Sequence, residues 1–462
     1  MKNGDEDSEK WAQNQWGEVY LGDPRRTARA VKVGAAIAAQ PGASLPTQLP
    51  EWKDLKAAYR LFDQENVTHA ALSQGHWELT RQEALQSKAA VTLFVQDKSD
   101  LDFSHHPGTS GLGHVGKFGQ GMLLQSSLAL IPTAGAPRIL GLAAQRVWLR
   151  QHEKRKGRET SQEKRYRERK ESEVWSALLQ DIGPAPLPGQ GQRYVSVGDR
   201  ESDIFGYVRQ AGEQNWDVLL RVAQNRRVLT PQEERAKLLD WARTLPARTT
   251  KQVTLRGRDG KPKREIELQV SFSAVQLCAP QFGVEQDQRP IRGWVVRCWA
   301  EGDKTLEWVL FTTVPVLEVE DAKKLIEWYE LRWMIEEYHK CLKSGCNLEQ
   351  RQLETAERLQ ALLGLLAIVA VRLLQLRSWS RTEPERPAVD IVPKLLVQVV
   401  KKRLGLKPEE EALTIREFFH GVARLGGFIG RKSDGDPGWQ TLWRGWEKLQ
   451  DLCWGLEMLP AP

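Results

Sequence analysis

Residues 329–343 read YELRWMIEEYHKCLK, and the spacing of their charges points to a fixed polar surface. At 100° per residue, an α-helix places Tyr329, Arg332, Glu336, Lys340 and Lys343 on one narrow stripe. The opposite side is apolar and must pack on a core, so the polar stripe is held in place. The stretch therefore presents one carboxylate among several cations.

The same pattern is also common on ordinary surface helices. Glu and Lys side chains three or four residues apart stabilise a helix by a few tenths of a kcal/mol. Taken alone, the stretch is compatible with such a solvated face. A function for Glu336 requires acidic partners elsewhere in the chain.

Composition favours two or three domains and permits a polyanionic partner. The chain has 462 residues, a net charge of +7 and a pI of about 9.0. Its five cysteines form no CxxC pair, and its first residues are polar, so we expect a reducing cytoplasmic setting without a secretory signal. The most apolar run, residues 359–376, is interrupted by polar side chains and is interpreted as a buried core helix.

Local patterns place helices at both ends of the chain and strands in the middle. Asp23 and Pro24 begin a helix whose first turns are rich in arginine. Strand patterns recur between residues 91 and 325, and helices return after residue 379.

Two of the predicted strands end in an acid. The run VTLFVQD ends in Asp97, and RYVSVGD ends in Asp199. With Glu336, they are three carboxylates on rigid elements, as two Mg²⁺ ions about 4 Å apart require. Taken singly, Asp97 can be a turn cap, and Asp199 can be an ion-pair partner of Arg200.

A second acidic cluster follows Asp97 closely: Asp100, Asp102, His105 and His106. Its short loop spacing has no matching second half, so zinc is not favoured. We expect these side chains to lie on a solvated rim of the site.

The spacing Y-x2-R-x3-E-x6-K, with Glu336 as its acid, is the YREK signature, and the chain resembles the IS-4 family of insertion-sequence DDE transposases. Other segments match that family in the same order, including LGDPRRTAR, AYRLF, GDRESDIF, AVRLLQLR and ARLGGF. The resemblance covers nearly the whole chain.

The resemblance implies an α/β fold. An RNase H-like catalytic core carries a large β-strand insertion and is flanked by helical amino- and carboxy-terminal domains. The expected domains are residues 1–72 for DNA-end binding, 73–378 for the DDE core with its insertion at about 225–325, and 379–462 for dimerisation.

The resemblance also implies a cut-and-paste DNA transposase. Such an enzyme binds transposon ends, pairs them in a dimeric complex, cleaves by two-metal-ion hydrolysis through a hairpin, and transfers the 3′-ends into target DNA. Mg²⁺, with Mn²⁺ as a substitute, is expected on the triad Asp97, Asp199 and Glu336. The expected partners are double-stranded DNA and a second copy of the chain, with no membrane; the expected setting is the bacterial cytoplasm, with nucleoid association on DNA.

The resemblance extends to residues that contact DNA. The candidates are Arg25, Arg26, Arg29, Arg221, Trp308, Tyr329, Arg332, His339, Lys340 and Lys343. The first three would meet the end sequence, and most of the others would meet the DNA near the scissile bond. Trp308 would stack on a displaced base. From sequence alone, the early arginines are equally a solvated helix face, and Trp308 can be an ordinary core residue.

The last helix pattern carries an aromatic stripe of Trp439, Trp443 and Trp446 with Leu442 and Leu449. We predict that this stripe joins two subunits on DNA. The alternative is that it packs on the catalytic core of its own chain.

Three other functions stay open at this stage. The chain could be an RNase H-like nuclease that cuts without joining, a DNA-binding regulator that has lost catalysis, or a helical scaffold. The scaffold leaves the placement of the three acids unexplained.

Overall fold

The structure, a computed structural model, describes residues 3–150, 173–187, 189, 191–255, 264–280, 289–406, 412–431 and 434–457. The helices in these residues are α1 (Asn3–Trp16), α2 (Pro24–Ala39), α3 (Leu45–Gln48), α4 (Trp52–Phe62), α5 (His69–Gln86), α6 (173–182), α7 (Phe205–Glu213), α8 (Leu238–Thr244), α9 (Val319–Glu330), α10 (Trp333–Lys340), α11 (Ala356–Thr382), α12 (Lys394–Arg403), α13 (Ile415–Leu425) and α14 (Trp439–Glu457). The strands are β1 (Val91–Asp102), β2 (Gly113–Val115), β3 (Gly119–Ile131), β4 (Arg138–Trp148), β5 (Arg193–Gly198), β6 (Asp217–Arg221), β7 (Arg227–Leu229), β8 (Arg235–Lys237), β9 (Thr249–Leu255), β10 (Arg264–Leu277), β11 (Ile291–Ala300) and β12 (Asp303–Thr312).

Among the described residues, the strands form one twelve-stranded mixed sheet. Its first part runs β4–β3–β1–β5–β6, with antiparallel pairing up to β1 and parallel pairing from β1 through β5 to β6. Strand β12 then pairs with β6 and continues the sheet into β11 and β10. The strand-rich run expected at about 225–325 therefore extends the same sheet as the two acid-bearing strands.

Alternating side chains on β1 pack on the two faces of this sheet. Leu93 and Val95 point into a core shared with the amino-terminal helices and α9 to α14. Phe94 points into a second core, which holds Trp175 and Tyr207. This alternation is the period-two pattern of a strand covered on both faces.

Helix α11 is the apolar centre of the helical side. It is long and apolar enough to cross a membrane by length and composition, but 83% of its most apolar window is buried inside the protein. The Ser73 hydroxyl donates to the Gly364 carbonyl of α11, and the Arg372 guanidinium lies 4.5 Å from the Trp11 ring. The core-helix interpretation of residues 359–376 is thus confirmed.

Residues 329–343 do not form one continuous helix. Helix α9 ends at Glu330, a turn follows in which Arg332 N–H donates to the Tyr329 carbonyl, and α10 begins at Trp333. Tyr329 is only 4% exposed, and its side chain lies beside Arg332 and Arg221 beneath the polar surface instead of on it. The expectation of one continuous amphipathic helix is wrong at this point.

The aromatic stripe of α14 packs within its own chain. Leu442, Trp446 and Leu449 are buried in the main core, and the Trp443 ring covers the backbone at Gly345. This is the alternative to a subunit contact, and it corrects the expectation that these side chains form a free pairing surface. The side chains of this stripe pack α14 against the core and against the residues that follow α10.

Candidate active site

Asp97 and Asp199 lie on neighbouring parallel strands. Strands β1 and β5 pair in register up to Val95 opposite Val197, and each aspartate lies two residues further along. Because side chains two residues apart on a strand share a face, both carboxylates follow those valines toward the helical side of the sheet. Parallel pairing thus sets two acids side by side just beyond the point where the β1–β5 pairing ends. Strand β1 itself continues to Asp102, paired with β3, so the prediction that Asp97 ends its strand is wrong.

Glu336 reaches the same place from α10. Arg332 joins the acids: its Nη2 lies 2.5 Å from Glu336 Oε1, and its Nη1 lies 3.5 Å from Asp97 Oδ2. The Arg332 and Asp97 side chains are only 16% and 18% exposed, respectively. One guanidinium therefore bridges a strand acid and a helix acid.

The protonation of the strand acids reflects their crowding. Burial, and then the negative charge of Asp199, raise the pKa of Asp97 to about 7, although Arg332 opposes the rise. Burial also raises the pKa of Asp199, against the opposing Glu201 N–H donor. For Arg332, burial alone would lower the pKa, but the hydrogen bond to Glu336 and the nearby charges of Glu336, Asp97 and Tyr329 together raise it. The site therefore brings together several acids whose negative charges are stabilised by a positive charge nearby.

The chemistry of these donors suits a hard divalent cation. Mg²⁺ prefers carboxylate oxygens, and the pKa of both strand acids is raised in a way that a cation would reverse. Within the described ranges, however, no three His, Cys, Asp or Glu side chains lie close enough to hold a metal as they stand. The Arg332 guanidinium takes the cation's place between Asp97 and Glu336.

Asp199 is also fixed by the turn that follows β5. Its Oδ1 accepts a hydrogen bond of 2.8 Å from Glu201 N–H, and the Glu201 side chain forms an ion pair of 2.7 Å with Lys98 Nζ. Asp203 is 8% exposed and bound to Arg226 at 2.8 Å, so it is a structural residue. Lys98 was not singled out from the sequence, although a cation directly after the candidate acid Asp97 was a visible signal.

An aromatic and cationic group flanks the acids. The Trp308 and Tyr329 rings pack edge to face with centroids 5.2 Å apart. Burial raises the pKa of Tyr329, while the adjacent Arg332 and Arg221 oppose that rise. Trp308 is half-buried, so one part of its ring packs on the core and another part stays accessible.

The cations of α10 and the segment after it differ in exposure. Lys340 is half exposed and lies 4.7 Å from the Trp333 ring. Lys343 donates to the Asp100 carbonyl and lies 3.1 Å from Glu349. His339 is 7% exposed and hydrogen-bonded to the Ser126 hydroxyl at 3.3 Å, so the structure does not bring it to the surface with the lysines.

The three candidate arginines near the amino end differ in exposure and in the residues that they contact. Arg25 is 93% exposed, whereas Arg26 donates to the Leu21 carbonyl and to Gln64. Arg29 forms an ion pair of 2.7 Å with Asp54 on α4. Arg25 is therefore presented to solvent, and the other two hold helices together.

The acid- and histidine-rich cluster begins on β1 with Asp100 and Asp102 and continues into the loop that follows. His106 is only 7% exposed, so the expectation of a solvated rim is wrong for this residue. His106 Nε2–H donates to the Glu349 carbonyl at 2.7 Å, and the Thr109 hydroxyl donates to the Leu353 carbonyl at 2.8 Å. Asp102 accepts from the backbone and hydroxyl of Ser104. These contacts form a strap from β1 to the start of α11.

Two protein families match the chain. Residues 8–67 match the family described as transposase DNA-binding, and residues 160–372 match the transposase DDE domain. The second match contains Asp199 and Glu336 and begins after Asp97. Among solved structures, the chain is similar to one titled "Cryo-EM structure of piggyBac transposase synaptic complex with hairpin DNA", with 9% identity, a TM-score of 0.36, and coverage of 99% of this chain and 79% of that chain.

Proposed function

The chain is a DDE transposase, with a DNA-binding domain near its amino end and a DDE domain in its centre, and we propose that it moves DNA by cut and paste as a member of the IS-4 family, similar to the Tn-5 transposase. It binds transposon ends, pairs them as a homodimer on DNA, cleaves through a hairpin, and joins the 3′-ends to target DNA. The domain boundaries expected from the sequence, including the β insertion, belong to this proposal, as does a bacterial cytoplasmic setting.

The observation that carries the proposal is the convergence of Asp97, Asp199 and Glu336 from two parallel strands and α10. We assign these acids as the ligands of Mg²⁺ or Mn²⁺. When bound, the metal supplies an activated hydroxyl and stabilises the charge of the leaving oxygen.

The cations beside the acids have a separate task. Lys340, Lys343 and Arg332 bind and orient phosphates near the scissile bond, because charge-assisted contacts fix the position of a strand without reading its bases. Tyr329 holds the guanidinium of Arg332, and Trp308 offers part of its ring to a displaced base.

The test replaces each acid by its isosteric amide: Asp97→Asn, Asp199→Asn and Glu336→Gln. With DNA from the flanks of its own gene and Mg²⁺, each change should slow cleavage by more than about a hundredfold, because several kcal/mol of charge stabilisation are lost. Binding of the same DNA should stay within about threefold, since phosphate affinity comes from cations. Nicking at a near wild-type rate by any of the three variants would remove that residue from the triad.

The same reaction separates the proposal from its alternatives. A transposase joins the freed 3′-end to a second DNA, whereas a nuclease leaves only cut products. A regulator without catalysis gives neither product but still binds DNA.

A further inference from the structure

Arg332 lies in the free protein where a cation between the acids is needed. Its two terminal nitrogens contact different carboxylates, 2.5 Å from Glu336 and 3.5 Å from Asp97. We infer that Arg332 is a resting counter-ion that metal and DNA displace together, so that the metal binds tightly only when DNA is present. This inference rests on the proposed function and specifies the order of binding at its site.

The first step of the argument is charge balance. Three acids converge in a mostly buried place, and like charges there repel strongly unless a cation lies among them. The Arg332 guanidinium provides that charge and is itself only 16% exposed. A divalent ion at the same carboxylates would meet a fixed positive charge, so the guanidinium and the metal compete.

The second step concerns where the guanidinium can go. A phosphate offers the same two-oxygen geometry as a carboxylate and is a favourable partner for the Arg fork. A DNA strand at the site therefore gives Arg332 an alternative anion as the acids gain a metal. Every charged group keeps an opposite charge throughout this exchange.

The position of Arg332 in the fold suits such a movement. It lies in the turn between α9 and α10, and is the residue directly before α10. Its side chain can turn toward a phosphate without unwinding either helix. Glu336, one turn further along, stays on α10 while its partner changes.

Binding of metal and DNA must then be coupled, and the coupling is reciprocal. In the wild type, Mn²⁺ should bind weakly without DNA and on the order of tenfold more tightly or better with it. In Arg332→Gln, Mn²⁺ should bind tightly without DNA, and DNA should add little. The probe is Mn²⁺, titrated into the full chain and followed by electron paramagnetic resonance of the free ion, with and without a duplex from the flank of the gene.

Lys343→Gln is the matched control for the free protein. This lysine is also a cation near the acids, but it contacts the Asp100 carbonyl and Glu349 instead of the triad. Its loss should change the affinity for Mn²⁺ without DNA by less than about threefold, well below the change in Arg332→Gln. Arg332→Lys keeps the charge without the fork and should lie between the wild type and Arg332→Gln; melting temperatures establish that each variant is folded.

The outcomes distinguish a failure of this inference from a failure of the proposed function on which it rests. Equal affinity for Mn²⁺ in the wild type and Arg332→Gln without DNA, with cleavage by the wild type intact, overturns the counter-ion role alone. No binding of Mn²⁺ by the wild type, even with DNA that it cleaves, overturns the metal site and the inference together.

Discussion

At the scale of single residues, a buried histidine links stability to pH. His76 is 6% exposed, its Nδ1–H donates to Gln15 Oε1 at 2.7 Å, and its Nε2 accepts from Leu142 N–H at 3.1 Å. Burial lowers the pKa of His76 to about 4. The neutral ring is therefore the one that fits α5 against β4, since a second proton would break the bond from Leu142.

We predict that this histidine destabilises the protein in mild acid. Its folded pKa lies below the unfolded value near 6.5, so the unfolded state takes up the proton first and stability falls as pH drops from 6.5 toward 4. Between pH 7 and pH 5 the loss is about 2 kcal/mol for one such group. In urea denaturation across this range, His76→Gln should have a shallower pH dependence than the wild type.

Exposed His105 provides the comparison. The variant His105→Gln is the surface control, and its stability at pH 7 should stay within about 0.5 kcal/mol of the wild type, because surface changes cost little. An unchanged slope in His76→Gln would show that its ring is not the group that titrates.

At the scale of secondary-structure elements, α10 is held by the residue next to the candidate ligand Glu336. Glu337 is 4% exposed and accepts hydrogen bonds from Arg377 on α11, Trp439 on α14 and Trp333. Burial alone would raise the pKa of Glu337, but Arg377, Lys340 and Trp333 together outweigh burial, and the pKa is lowered. The rotation of α10, and with it the direction of Glu336, depends on this buried carboxylate.

We predict that Glu337→Gln lowers the free energy of unfolding by roughly 3–5 kcal/mol, because it leaves the Arg377 charge buried without a partner. Adding Arg377→Met should recover part of that loss, since the unpaired charge is gone. The measurement is urea denaturation of both single variants and the double variant. The exposed pair of Glu83 and Arg138 is the control, and Glu83→Gln should cost less than about 1 kcal/mol.

Full additivity of the Glu337 and Arg377 variants would mean that the two side chains do not act as a pair. Coupling in stability together with unchanged cleavage in the folded double variant would show that α10 has other adequate supports.

The strands and the approximate place of their acids were predictable because their signals are local, although β1 runs five residues past Asp97. Asp97 follows an apolar run typical of a strand, and Asp199 follows another, so each could be placed without knowledge of the rest. The turn after Glu330 was not predictable from the apolar period, since YELRW contains no Gly or Pro. The ion pair between Arg332 and Asp97 could not be predicted from the sequence either, because tertiary packing brings together residues that lie 235 positions apart. The same limit explains the α14 stripe, whose pattern does not say which surface it covers.

At the scale of the whole molecule, α14 closes the helical side of the protein. Leu449 is fully buried, while Leu452 is 43% exposed on the same helix. We predict that Leu449→Asp lowers the melting temperature and impairs DNA binding and cleavage together, since a charge replaces a core side chain. Leu452→Asp should keep the melting temperature within about 2 °C, because surface changes cost little.

This pair makes the proposed pairing of subunits testable on native gels. A stable Leu452→Asp variant that binds single ends but forms no paired complex would place the contact on the outer face of α14. Equal melting temperatures for the two variants would contradict the packing of α14 within the chain.

The contacts between the amino-terminal helices and the segment before α11 have a consequence for synthesis on the ribosome. Arg351 donates to the carbonyls of Pro41 and Ala43, and Arg351 lies 310 positions after Pro41 in the chain. At roughly 5–20 residues per second, the nascent DNA-binding helices wait about 15 to 60 s for this partner. A chain interrupted before residue 349 thus lacks both Glu349, which anchors the strap, and Arg351, which supports the segment after α2. Synthesis at least as far as Arg351 is therefore needed before the amino-terminal helices gain this support.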